Sequence, residues 1–127
     1  TIDPKRRRFV IAGYDRNAGG GRLYAYDIGP GSNYSMQRLS SSGATGILAH
    51  YYPGLEYDPV RDRFVAWGED SRNVVYFLNL DTRTWTSTTF TGGPTPVGNG
   101  TYGRFRYSPK DGVFLLVNRM DDNAVIL

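Results

Sequence analysis

The chain has 127 residues, no cysteine, 15 basic and 12 acidic side chains, and a net charge of +3. The missing cysteines exclude a disulfide framework and thiolate metal sites, and no run approaches the ~18 apolar residues of a membrane-spanning helix. With 16 glycines and 7 prolines spread along the sequence and 14% aromatic residues, the composition is that of turn-rich β structure rather than of disorder. Arginine supplies 13 of the basic residues, and the run Lys5-Arg6-Arg7-Arg8 carries the whole positive excess. Such a short run reads as a solvated turn, so no nucleic-acid partner is expected.

Taken in chain order, alternation and turn residues predict strands at 1–3, 8–13, 23–28 and 35–39. A long connection at 40–53 follows, and then strands at 55–58, 63–68, 74–80 and 84–91. A second long connection, 92–102, leads to strands at 104–107, 113–118 and 124–127. No segment keeps a 3.6-residue period between helix caps, so essentially no α-helix is expected. The runs Phe64-Val65-Ala66-Trp67 and Val113-Phe114-Leu115-Leu116-Val117 are almost wholly apolar, the pattern of strands buried on both faces. The Thr-rich strand 84–91 suits a half-exposed outer edge.

These strands recur with a shared phrase. Ile2-Asp3-Pro4, Tyr57-Asp58-Pro59 and Tyr107-Ser108-Pro109 are each followed by a phenylalanine five residues after the proline, at Phe9, Phe64 and Phe114. Four residues later stand Gly13, Gly68 and Asn118, and the prolines are 55 and 50 residues apart. Proline fixes φ for a turn and cannot donate to a ladder, so it ends the first strand of each unit. A period near 50 residues with one β-rich unit per period predicts an all-β protein built of β-propeller blades, each a four-stranded antiparallel sheet. The expected blades cover about 1–40, 53–91 and 103–127 of a single partial propeller, and the last is incomplete.

Blade two carries a more specific pattern. Its second strand ends in Trp67-Gly68, and an apolar strand then leads through Leu78-Asn79-Leu80-Asp81-Thr82-Arg83-Thr84 to Trp85. This resembles the kelch repeat of the propellers similar to the galactose oxidase central domain. Gly68 matches the first glycine of the motif and Trp85 its tryptophan, while Glu69 replaces the second glycine and Leu78 the tyrosine. In blade one Tyr26-Asp27 matches the tyrosine and acid, with Tyr34 near the tryptophan position. The resemblance implies a scaffold whose loops bind proteins or glycans, and a non-enzymatic binding scaffold is the expected function. Copper-radical oxidases of this architecture need a cysteine-linked tyrosine and histidine ligands; this chain has one histidine and no cysteine. Ser108-Pro109-Lys110-Asp111-Gly112 only approximates a sialidase Asp box.

In such an architecture the two long connections share one end with Asp15, Glu69, Asp70, Asp121 and Asp122, and ligands are expected there. The candidate ligand-binding residues are His50, Tyr51, Tyr52 and Tyr102, whose aromatic faces suit sugar rings or protein side chains. Arg104, Arg106 and Glu56 join them from the inner strands. Alignment through the prolines sets Glu56 opposite Arg106, as an ion pair or as a carboxylate-reading arginine. No catalytic residue, metal site or cofactor is expected: Asp121-Asp122-Asn123 lacks a calcium-loop spacing, 17–21 lacks the features of a phosphate loop, and His50 has no triad partner by spacing.

The open edges of the first and last blades are expected to meet further blades, from the same or another chain. A homo-oligomer would close the ring if the chain is complete. The start inside one strand, at Thr1, and the stop after another favour instead a C-terminal part of a larger propeller. The alternatives to a binding scaffold are a larger propeller enzyme of which this is a part, and a filament subunit that assembles through the open edges. The sequons at Asn33 and Asn99 lead to the expectation of an extracellular or periplasmic setting.

Overall fold

The computed structural model describes residues 1–68 and 73–127. Its first sheet is an antiparallel meander of β1 (Ile2–Asp3), β2 (Arg8–Asp15), β3 (Gly20–Asp27) and β4 (Met36–Leu39). The second holds β5 (Ser42–Gly43), β6 (Gly54–Asp58), β7 (Arg63–Trp67), β8 (Val74–Asn79) and β9 (Thr84–Thr89), in the order β5-β9-β8-β7-β6. The third holds β10 (Phe105–Ser108), β11 (Val113–Leu116) and β12 (Val125–Ile126). All pairings are antiparallel except β5 with β9. The only helical turns among the described residues are 3-10 turns at Thr45–Ala49 and Tyr102–Arg104, so the molecule is all-β, as expected.

Strand side chains alternate between two faces, and here both faces of the middle sheet are covered. Phe64, Ala66 and Leu78 pack with Val10, Ala12, Leu23 and Ala25 of the first sheet. Val65, Trp67 and Val75 pack with Phe105, Phe114 and Leu116 of the third. That two-sided burial is why β7 reads as an unbroken apolar run. The repeated phenylalanine always points towards the preceding sheet. Phe64 is fully buried and Phe114 is 6% exposed, whereas Phe9 is 38% exposed because no sheet lies on its side. On that bare face Ile2, Phe9, Tyr26 and Met36 line up in register across all four strands.

The first two proline turns have a common chemistry. Asp3 Oδ1 accepts the Arg6 amide at 3.0 Å, and Asp58 Oδ1 accepts the amides of Val60 and Arg61 at 3.1 Å. The aspartate before each of these prolines therefore satisfies turn donors that have no ladder partner. All three proline turns end in a left-handed residue: Arg7 at φ 51°, Asp62 at 50° and Gly112 at 68°.

Arginine 6 ties the first turn to the second sheet. Its guanidinium donates to Asp3 at 2.8 Å, to Asp62 at 2.7 and 2.9 Å, and to Asp81 at 2.7 Å through two nitrogens. Lys5 also pairs with Asp62. The Tyr57 hydroxyl donates to Asp62 at 2.7 Å; burial first, and then this bond, push the phenol up to about 12. Hydrogen bonds from Arg6, Lys5 and Tyr57 hold the Asp62 carboxyl well below the usual carboxylate range. On the inner strands, Arg106 donates to Glu56 at 2.8 Å, the pair that the proline alignment expects.

The connection 40–53 is more ordered than the sequence predicts. β5 runs parallel to β9, pairing Ser42 with Thr84 and Gly43 with Trp85, so the Thr-rich strand is an edge only beyond Trp85. The buried Trp85 requires this cover: its Nε1 donates to Ser41 Oγ at 3.2 Å. Ile47, from the 3-10 turn, fills the core beside it.

Two outcomes test this account. Phe64→Ala is expected to lower unfolding free energy by about 3–5 kcal/mol, and Phe9→Ala by less than about 1 kcal/mol, in denaturant titrations at high dilution. Because Asp62 is more acidic folded than the ~3.9 of an unfolded chain, its contribution is present at neutral pH and is lost as pH falls below about 4. Stability should therefore drop between about pH 5 and about pH 2, and Asp62→Asn, less stable at neutral pH, should show a shallower drop.

Candidate functional site

Opposite the charged turns, the sheets end in a continuous row of tyrosines. Tyr14, near the end of β2, lies 4.7 Å from Tyr51 between ring centres. Tyr51 is 5.9 Å from Tyr52, which stacks on Tyr102 at 4.6 Å with 21° between planes. Arg16 in the β2–β3 turn places its guanidinium 5.5 Å from the centre of the Tyr51 ring. Tyr51, Tyr52 and Tyr102 remain 40%, 43% and 53% exposed. Together they form one contiguous exposed aromatic patch.

Backbone contacts hold the row. Tyr14 N–H donates to His50 O at 2.7 Å, and Thr101 N–H donates to Tyr52 O at 2.8 Å. The repeated glycines explain how the segment fits. A Cβ on Gly13 would lie 3.0 Å from His50 O and 3.1 Å from Pro53 Cδ, and one on Gly68 would overlap the His50 ring. The chain 50–53 thus passes over two sheets at positions where only glycine lets it sit. Asn118, the third member of the set, is buried and donates to Thr95 O at 2.9 Å in the next connection.

Beside Tyr51 a cleft of about 360 Å³ is lined by Tyr14, Asp15, Arg16, Tyr24, Tyr26 and Tyr51. Tyr24 Oη donates to Asp15 at 2.6 Å, and the amides of Asn17 and Ala18 donate to the same carboxylate. The Tyr24 bond, with these amides, holds the Asp15 carboxyl below its ordinary range, and the same bond raises the Tyr24 phenol. A cleft of about 260 Å³ on the other side joins Tyr102 to Glu56 and Arg106. Another, of about 500 Å³, opens between the first sheet and the 3-10 turn, with Arg22, Arg38, Ser40 and Thr45 on its walls but a single aromatic ring, Tyr14.

The expected ligand residues fall into three places. Tyr51, Tyr52 and Tyr102 come together in the row. Glu56 and Arg106 adjoin it through the inner strands, and the Arg104 guanidinium turns back to Gly100 O. His50 is 4% exposed and lies under the row, against Gly68, so it supports the tyrosines from beneath. Sequence reasoning missed Tyr14, Arg16 and Tyr24. A usable signal existed for Tyr14, which directly follows the repeated Gly13 and so stands at the loop end of its strand. Of the loop acids, Asp121 and Asp122 are exposed, and Glu69 and Asp70 lie outside the described residues. Among the described residues no cluster of three or more His, Asp or Glu has metal-binding geometry, and no helix is long and apolar enough to cross a membrane. Comparison with protein-family models, curated proteins and solved structures returns no match.

If Gly68 is needed for the passage of His50, then Gly68→Ala should destabilise the protein by about 1–3 kcal/mol. Thermal melts would measure this, and a change in tyrosine near-ultraviolet dichroism should accompany it.

Proposed function

We propose that the chain is a binding scaffold of the kelch-like propeller type, with its three sheets as blades and the tyrosine row as its ligand platform. The blade reading is supported by the recurrence of one strand order, by the aspartate turn shared by the first two sheets, and by faces that pair in the same sense at both sheet junctions. The ligand reading rests on one observation: four tyrosines in unbroken ring contact, three of them well exposed, at the end where the long connections emerge. Stacked phenol rings offer apolar faces to the C–H side of a sugar while their hydroxyls stay available for hydrogen bonds. Asp15 and Arg16 at the rim add an acceptor and a donor for ring hydroxyls. A glycan therefore fits the platform better than an apolar ligand would.

The test is a glycan array followed by titration of the best hit. Tyr52→Ala, which removes the ring shared by two contacts, should weaken binding at least about tenfold, or about 1.4 kcal/mol. A hit unaffected by Tyr52→Ala would move the site elsewhere. Failure of every glycan, with capture of a defined peptide by the same tyrosines, would make the ligand a protein.

A further inference from the structure

Aligned through their prolines, the sheets meet by one rule. Val10 and Ala12 of the first face Phe64 and Ala66 of the second, and Val65 and Trp67 of the second face Phe114 and Leu116 of the third. Two surfaces that obey the rule are unmatched. The first sheet bears Phe9 and Ile11 on its open side, at the places of Phe64 and Ala66, and both are exposed. The third bears Leu115 at the place of Val65, with Ile126 in register beside it and 67% exposed.

At the first junction a charge pair follows the same alignment. Arg6 reaches across to Asp62. The residue in Arg6's place on the third sheet is Asp111, and the residue in Asp62's place on the first sheet is Arg7. Both signs are inverted, so the complement survives. The middle junction shows that this is not a general property of the repeat, because there Arg61 faces the turn of Gly112. Asp111 and Arg7 are exposed; Asp111 accepts only the Ser108 hydroxyl, at 2.6 Å, and Arg7 makes no ion pair among the described residues.

We infer that the open face of the third sheet docks on the open face of the first sheet of a second copy, with Asp111 against Arg7, and that two copies join reciprocally. The contact is heterologous, so a reciprocal pair forms when three sheets together carry the chain through half a turn, and an open series forms when they do not. It continues the two junctions already present in the chain, with apolar side chains at the same places and the charge pair of the first junction inverted. The cleft beside the tyrosines is lined by Ile11, Tyr24 and Tyr26 of the docking face, so the second copy would supply its missing wall. Lys110, in the place of Lys5, would come beside Arg7, and its long stem lets the ammonium turn to solvent.

Light scattering on size-fractionated full chain at low salt tests this. The expected mass is twice 14.2 kDa. Arg7→Asp and Asp111→Arg, both at exposed turn positions, should each weaken association at least about tenfold while leaving circular dichroism unchanged. Mixing the two variants in equal amounts should restore a pair, since each then presents the charge that the other lacks. A monomer at every concentration, an open series of larger species, or a mixture that stays monomeric would overturn the proposal. Tyr52→Ala should pair normally, so failure of the glycan reading and failure of this one are separately visible.

Discussion

β7 has no solvent side. Phe64 and Ala66 are buried against one neighbouring sheet, Val65 and Trp67 against the other, and their removal from water is worth about 25 cal/mol per Å² of apolar surface. A strand with that composition cannot sit in a sheet with one wet face, and this single requirement forces three sheets to stack. It also fixes the sense of stacking, because alternation lets phenylalanine face only one way from each sheet. Everything else in the molecule is arranged around the two apolar layers that result.

The two ends of the stack solve different problems. At one end the turns are short, and their buried aspartates must be compensated. Asp3 and Asp58 accept turn amides, and Arg6 gathers carboxylates from both sheets into one network. At the other end the connections are long and must cross between sheets. Glycines at 13 and 68 make room for the crossing, and the chain above them carries aromatic rings outwards. Charge thus holds the sheets together at one end, while aromatic rings stand exposed at the other.

Local patterns carry much of this, because prolines, alternation and apolar runs act within a few residues. The strands stand where those signals place them, and the Glu56–Arg106 pair follows from aligning two turns. What escaped depends on contacts far apart in sequence. β5 has no strand signature of its own; it exists because Trp85, some forty residues on, needs its indole covered and satisfied. Tyr14 and Arg16 belong to the site only because residues 50–52 fold back over the first sheet. His50, expected among the ligand residues with Tyr51 and Tyr52, lies buried at a depth that Gly68 permits, and sequence spacing does not connect the two.

The site and the open faces are not independent. Tyr14 and Tyr51 rise above the first sheet, Tyr102 precedes the third, and Tyr52 bridges them through its stack and the Thr101 amide. The spacing of the row is therefore set by how tightly the second sheet is gripped from both sides. A sheet stack buried on its inner junctions but bare on its outer ones transmits any outer contact through those close-packed layers, which deform little. Covering Phe9 and Ile11 would confine Tyr24 and Tyr26 on the same face, and Asp15 is bonded to Tyr24. Whatever meets the bare face of the first sheet thereby also shapes the rim of the tyrosine cleft.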